Sequence, residues 1–196
     1  MAKKLVYGVG INDVDYAVQP VVDGKQVKCP CYVTWKEMLR RCYDHKWQER
    51  NPAYKGCSVH PEWLSFVNFR KWVLTQDWEG KQLDKDLLLK GNKVYSPSTC
   101  VFVDNMTNTF TNDQVRSRGD YPLGVSFHKS LGKFAAMCRN PFTKKREHLG
   151  VFHCPNQAHL AWKARKHELA CQLANLQTDP RVAEALRTRY IEYLLN

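Results

Sequence analysis

Gly124-Val125-Ser126-Phe127-His128-Lys129, then Ser130-Leu131-Gly132, then Lys133-Phe134-Ala135-Ala136-Met137-Cys138-Arg139: this stretch decides how the 196-residue chain is read. Apolar and polar side chains alternate through both outer runs, and the Ser-Leu-Gly between them supplies a turn, so the pattern predicts two short strands. Asn140-Pro141 and a basic loop (Lys144, Lys145, Arg146) lead to a third, His148-Leu149-Gly150-Val151-Phe152. From Gln157 to Leu173 the period changes, with Ala158, Ala161, Trp162, Leu169 and Leu173 at helical spacing. Three strands and a helix make a two-layer unit. Val125, Phe127, Phe134, Ala136, Cys138 and Leu149 are expected to face the helix.

Strand parity sends Ser126, His128, Ala135, Met137, Arg139 and His148 to the other face. Between Arg116 and Leu173, eleven Lys and Arg stand against Asp120, Glu147 and Glu168, a net of +8. A face so basic is either simply solvated or laid against a polyanion. The second reading places the sheet in a groove of double-stranded DNA, with Arg139 and Arg146 reaching bases or phosphates. Ser126, His128, Lys129, Lys133, Arg139, Arg146 and His148 are the candidate contacts.

Gly124-Val125-x-Phe127, Gly132-Lys133-Phe134-Ala135-Ala136-x-x-Arg139-Asn140-Pro141, His148-Leu149-Gly150-x-Phe152 and the Ala-rich helix that follows resemble an AP2/ERF-type DNA-binding domain. The resemblance covers nearly all of Tyr121–Leu173. It implies that the sheet, not the helix, enters the major groove, with Arg and Trp side chains reading the bases. Carried over by position, the groove-facing sites are Ser126, His128, Met137, Arg139, Arg146 and His148. Several of these are neither Arg nor Trp, which implies a different sequence preference.

The whole chain agrees with a polyanionic partner: its formal net charge is +11 and its pI about 9.3. No apolar run approaches the ~18 residues needed to span a bilayer. Met1-Ala2-Lys3-Lys4-Leu5-Val6 is followed by no apolar core, so no secretory signal is read. The expected location is cytoplasmic, that of the host cell for a phage-encoded protein. Eight cysteines are then reduced thiols or metal ligands.

Residues 1 to about 28 read as an extended arm or loose hairpin. Thr34-x-x-Glu37 reads as a capping box opening a helix through Tyr43, with Trp35, Met38, Leu39 and Cys42 on one face. A second helix is expected near Pro61 to Thr75, its aromatics forming the core of an N-terminal domain. Cys42-x2-His45 and Cys57-x2-His60 have ligand-pair spacing, and Cys29 and Cys31 precede them. The expected structural zinc set is Cys29, Cys42, Cys57 and His60, with His45 or Cys31 as substitutes. The other reading is that these thiols are small buried hydrophobes.

Gln82 to Asp104 reads as strand, polar loop and strand, with a short helix starting after Asp104. Two acidic residues at the end of a strand, facing amides on a helix, suit one hard divalent cation, Mg²⁺ or Mn²⁺, which clamps a scissile phosphate. A hairpin with solvated charges is the alternative. The block resembles the ββα-metal core of HNH endonucleases, closest to phage homing-endonuclease-like proteins, through its Leu83-Asp84-basic, Tyr95-x-Pro97 and Cys100 pattern. The Trp35-x-x-Met38-x-x-Arg41-Cys42-Tyr43 run resembles their lead-in segment. The resemblance implies Asp84, Asn105 and Asn108 as metal ligands, and Asp84, Lys85, Asp86 and Asn108 as the catalytic set. It departs from the family where Lys85 stands in place of the general-base His.

An α+β chain is expected: an HNH-like module over 1–112 with a helical, zinc-held N-terminal part, a linker over 113–120, an AP2-like domain over 121–175 and a C-terminal helix over 176–196. Asp179 caps that helix, and Val182, Leu186, Tyr190, Tyr193 and Leu194 form its apolar stripe. The function expected is a DNA-binding, metal-dependent endonuclease. The alternative is a DNA-binding protein with a degenerate nuclease core.

Overall fold

Pro30, rather than Thr34, starts the first long helix. Proline is pre-set for the first helical position, where its missing N–H is no loss. The helix runs Pro30–Tyr43 (α1), and the Thr34 hydroxyl bonds back to Pro30 O at 3.1 Å inside the first turn. Thr34 therefore caps nothing, and Glu37 is paired with Arg40. The computed structural model describes residues 5–112 and 120–191. They divide into two units, Met1–Asp104 and Asn105–Asn196, each mixing helices with small sheets, as an α+β chain should.

In the first unit a hairpin, β1 (Val21–Val22) with β2 (Lys25–Gln26), precedes α1. A short helix α2 (His45–Arg50) follows, which the sequence reading missed; the Asp44 carboxylate caps it by accepting from Trp47 N at 3.1 Å. The helix expected from Pro61 is interrupted. Pro61–Leu64 is a 3₁₀ turn, and Ser65 restarts the chain as α3 (Phe66–Val73) by accepting from Asn68 N. Strands β3 (Ser58–Val59) and β5 (Val94–Tyr95) pair in parallel. Strands β4 (Gln82–Asp84) and β6 (Val101–Val103) pair antiparallel, with Leu83 opposite Phe102 and Asp84 opposite Val101.

These short elements share one aromatic core of Trp35, Trp63, Phe66, Phe69, Tyr95 and Phe102, with Met38, Leu39 and Val73. Each such side chain contributes roughly 1.5–3 kcal/mol on burial. The Trp35 indole donates to Trp63 O at 2.6 Å, so its one polar atom is satisfied.

The second unit opens with α4 (Asn105–Thr111) and continues through β7 (Val125–His128), β8 (Lys133–Arg139), β9 (Arg146–Phe152), α5 (Pro155–Ala174) and α6 (Pro180–Thr188). The sheet order is β7-β8-β9, all antiparallel. Ala136 and Cys138 are buried beneath α5, whose own buried face carries Ala158, Trp162 and Leu169. The register slips between Ala136 and Met137. Ala136 faces Gly150 while Met137 faces His148, leaving Leu149 as the extra residue of a bulge. Leu149 is thus not the regular inward-facing residue that alternation predicts. Phe127, also expected beneath the helix, is 42% exposed and packs on the rings of Tyr121 and Phe134.

Helix α4 was expected in the nuclease module; its contacts put it in the second unit. Lys166 Nζ donates to Phe110 O at 2.6 Å, Gln177 Nε2 to Thr107 Oγ1 at 3.2 Å, and Arg189 Nη2 to Thr111 O at 3.0 Å. The division therefore falls before Asn105 and not after residue 112. Asp179 caps α6 through Arg181 N at 2.9 Å, and Val182, Leu186 and Tyr190 are buried as their stripe predicts. Most of the expected linker (113–119, with Arg116 and Arg118), together with Tyr193 and Leu194, lies outside the described residues. Among the described residues no helix is long and apolar enough to cross a membrane.

Gly124 locks the sheet to α5. Its φ is +77°, and a Cβ there would run into the Trp162 indole ring. Overpacking costs about 1–3 kcal/mol, and the left-handed backbone adds about 1–2 for a residue with a Cβ. Gly124→Ala is expected to lower the urea midpoint of the second unit's unfolding by an amount equivalent to at least ~2 kcal/mol.

Candidate nucleic-acid interface

The cross-strand register decides which side chains share the outer face of the three-stranded sheet. His128 stands opposite Lys133, Ser126 opposite Ala135, Met137 opposite His148, and Arg139 opposite Arg146. Residues directly opposite in an antiparallel pair point the same way. Ser126, His128, Lys133, Arg139, Arg146 and His148 therefore lie on one face, with Lys129 in the turn after β7. The bulge keeps this arrangement, because the slip of one residue in β9 restores the parity that Leu149 would have broken.

The acid of this sheet is turned the other way. Glu147 stands opposite Cys138, and α5 takes its carboxylate: Arg165 Nε donates to Oε2 at 2.7 Å and Nη2 to Oε1 at 3.1 Å. Asn140 Nδ2 adds a third bond to Oε1 at 2.7 Å. Hydrogen bonds from Arg165 and then Asn140 hold the Glu147 carboxyl at about 2, well below its ordinary 4.5. The one carboxylate that β7–β9 carries is thus consumed within. Asn140 does more than mark the turn. Its side chain in fact organises the turn, accepting from Phe142 N at 2.8 Å and Thr143 N at 3.1 Å. The Asn-Pro dipeptide was the available signal, since Asn side chains mimic a turn by bonding the backbone two residues on.

Strand, loop, strand and helix follow in the expected order from β4 to α4, with β5 inside the loop. Asp84 Oδ1 accepts from Asp86 N at 2.9 Å and Leu87 N at 2.7 Å. Burial first, and the nearby Asp86 second, push its carboxyl above the ordinary range. Lys85 is buried at 7% exposure, its Nζ donating to Asn92 O at 3.0 Å and to Asp86 Oδ2 at 3.1 Å. Asn92 closes the loop by donating to Lys85 O and Val94 O. Asp84, Lys85 and Asp86 are thus gathered in one tight loop of the first unit. Asn105 and Asn108 stand on α4 in the second.

The thiols divide. Cys42, Cys57 and Cys100 lie in the aromatic core, and burial pushes Cys42 and Cys100 up to about 12. Cys29 is half-buried at the start of α1, beside Cys31. The buried His60 Nδ1 has no hydrogen-bond partner among the described residues. Among those residues no three His, Cys, Asp or Glu side chains are grouped to hold a metal ion. No family model matches the chain, no curated protein matches it, and no solved structure matches it.

The Glu147 network has a pH signature. A carboxyl held low in the folded state contributes stability above its unfolded value and loses it as pH falls toward the folded one. The stability difference between the wild type and Glu147→Gln is therefore expected to be constant above pH 4.5 and to shrink as pH falls toward about 2. Denaturant midpoints of both proteins across that range check it.

Proposed function

We propose that this protein binds double-stranded DNA by laying the outer face of β7, β8 and β9 in a groove. The observation that carries the reading is the pairing of Arg139 with Arg146, two exposed guanidiniums directly opposite across the sheet. Among the described residues neither forms an ion pair, while the nearby Glu147 is spent on Arg165. Like charges directly opposite destabilise a sheet, and a phosphate backbone between them relieves the repulsion. The likeness of this segment to AP2/ERF-type domains supports the same face. Arg139→Ala and Arg146→Ala are each expected to weaken binding by about 1–3 kcal/mol, read by fluorescence anisotropy with a duplex. Equal binding by wild type and both variants would overturn the proposal.

The Asp84–Lys85 loop is read as scaffold, because Lys85 is buried and bonded to the loop it sits in. A second reading is metal-dependent hydrolysis of the bound DNA. It is favoured by the strand–loop–strand–helix order that resembles HNH cores and by the raised Asp84 beside Asp86. In it Asp84 would help to hold Mg²⁺ or Mn²⁺, which would supply a low-pKa water and charge stabilisation. Supercoiled plasmid incubated with either ion is expected to be bound and left uncut. Cutting by the wild type that Asp84→Ala abolishes would establish the nuclease reading instead. Activity gained on Lys85→His would mark the core as weakened by that one residue.

A further inference from the structure

The turn between β8 and β9 carries two departures from what folding alone favours, both at the same end of the sheet. One is the Arg139–Arg146 opposition. The other is Lys144, whose φ of +59° is left-handed although it bears a side chain. Gly or Asn is the residue that this conformation favours, and Lys gains nothing locally from it. Backbone strain of this kind persists where the surroundings over-determine it, and it concentrates at ligand contacts.

Here the surroundings are explicit. Asn140 is 7% exposed and holds Phe142 N and Thr143 N with its side-chain oxygen. Its backbone N–H bonds Lys145 O at 2.9 Å, closing the turn, and Lys145 N reaches Thr143 Oγ1. The Asn140 amide nitrogen is anchored through Glu147 to Arg165, which also holds Glu168 at 2.7 Å. The turn is thus bolted to α5 through its buried side, while Lys144 and Lys145 stand exposed outside, next to Arg146.

We propose that Lys144 seats a backbone phosphate of the duplex, and that the left-handed turn exists to aim its ammonium there. The inference rests on the DNA-binding reading above and adds a division of labour within it. The turn fixes register on the sugar–phosphate backbone, while Arg139 and Arg146 face the groove. Lys144 accordingly contributes affinity without sequence preference.

The test is the salt dependence of full-length protein binding to two duplexes of unrelated sequence, with thermal unfolding measured in parallel. Lys144→Gly removes the ammonium and the strain together. It is expected to lower the slope of log K against log[salt] by about 1, equally on both duplexes, and to raise the unfolding temperature. Lys144→Ala removes the ammonium and keeps the strain, so it should lower the slope equally without the gain in temperature. A wild-type slope in both variants, on DNA that they bind, overturns this inference alone. Failure of the wild type to bind either duplex overturns the function proposed above and this inference with it.

Discussion

Arg165 is the fixed point of the second unit. One guanidinium on α5 takes both oxygens of Glu147 on β9, and Glu147 in turn holds Asn140 at the head of the β8–β9 turn. A charge-assisted, two-pronged bond of this kind is among the stronger polar contacts a protein makes and is demanding in geometry. It sets how far α5 stands from the sheet edge, and Gly124 under Trp162 sets the distance at β7. Between these two stops the small residues Ala136 and Ala158 fill a thin core. The electrical result follows from the same contact. The acid is drawn to the helix side, so the strands' opposite face is left without a carboxylate.

The first unit is built on a different principle. Its strands are two or three residues long and could not hold together as sheets. Trp35, Trp63, Phe66 and Phe69 make up for this, because aromatic rings bury large areas and lock one another at preferred angles. Polar loops are then fastened one by one: Ser65 and Val67 to Asp13, Gln48 to three carbonyls, Lys85 to Asn92. Lys85 shows the difficulty of reading such loops for chemistry. A charged residue beside an acidic one on a strand end has the look of a reactive pair, and here its ammonium also ties the loop together through Asn92 O and Asp86.

Periodicity made the second unit legible. Alternation located β8 to the residue and β7 to within one residue at each end, and helical spacing found α5, because these patterns run long enough to exceed chance. Parity also grouped Ser126, His128, Arg139 and His148 correctly on one face. It failed at Leu149, where a bulge adds a residue that no local pattern announces, and at Phe127, which lies at the sheet's end. In the first unit the residues of the core were identified from their composition, but α2, β3 and the break at Ser65 were not. Elements of two to six residues carry too little pattern, and their boundaries are set by caps such as Asp44 and by distant partners such as Asp13. The assignment of α4 failed for a related reason. Its buried face is satisfied by residues far along the chain, which adjacency in sequence cannot reveal.

That last feature governs the order in which the second unit can form. Phe110 O waits for Lys166, 56 residues on; Thr107 waits for Gln177, 70 on; and Thr111 waits for Arg189, 78 on. Lys166 is itself enclosed by the rings of Phe110, Trp162 and Tyr190, one from each of three segments. A chain emerging from the ribosome completes the strands β7 to β9 while α4 still lacks every one of these partners. The hairpins are local and quick to close, whereas contacts of such long sequence separation are slow. Docking of α4 is therefore a late event in the history of each molecule, held back until the last helix has been synthesised.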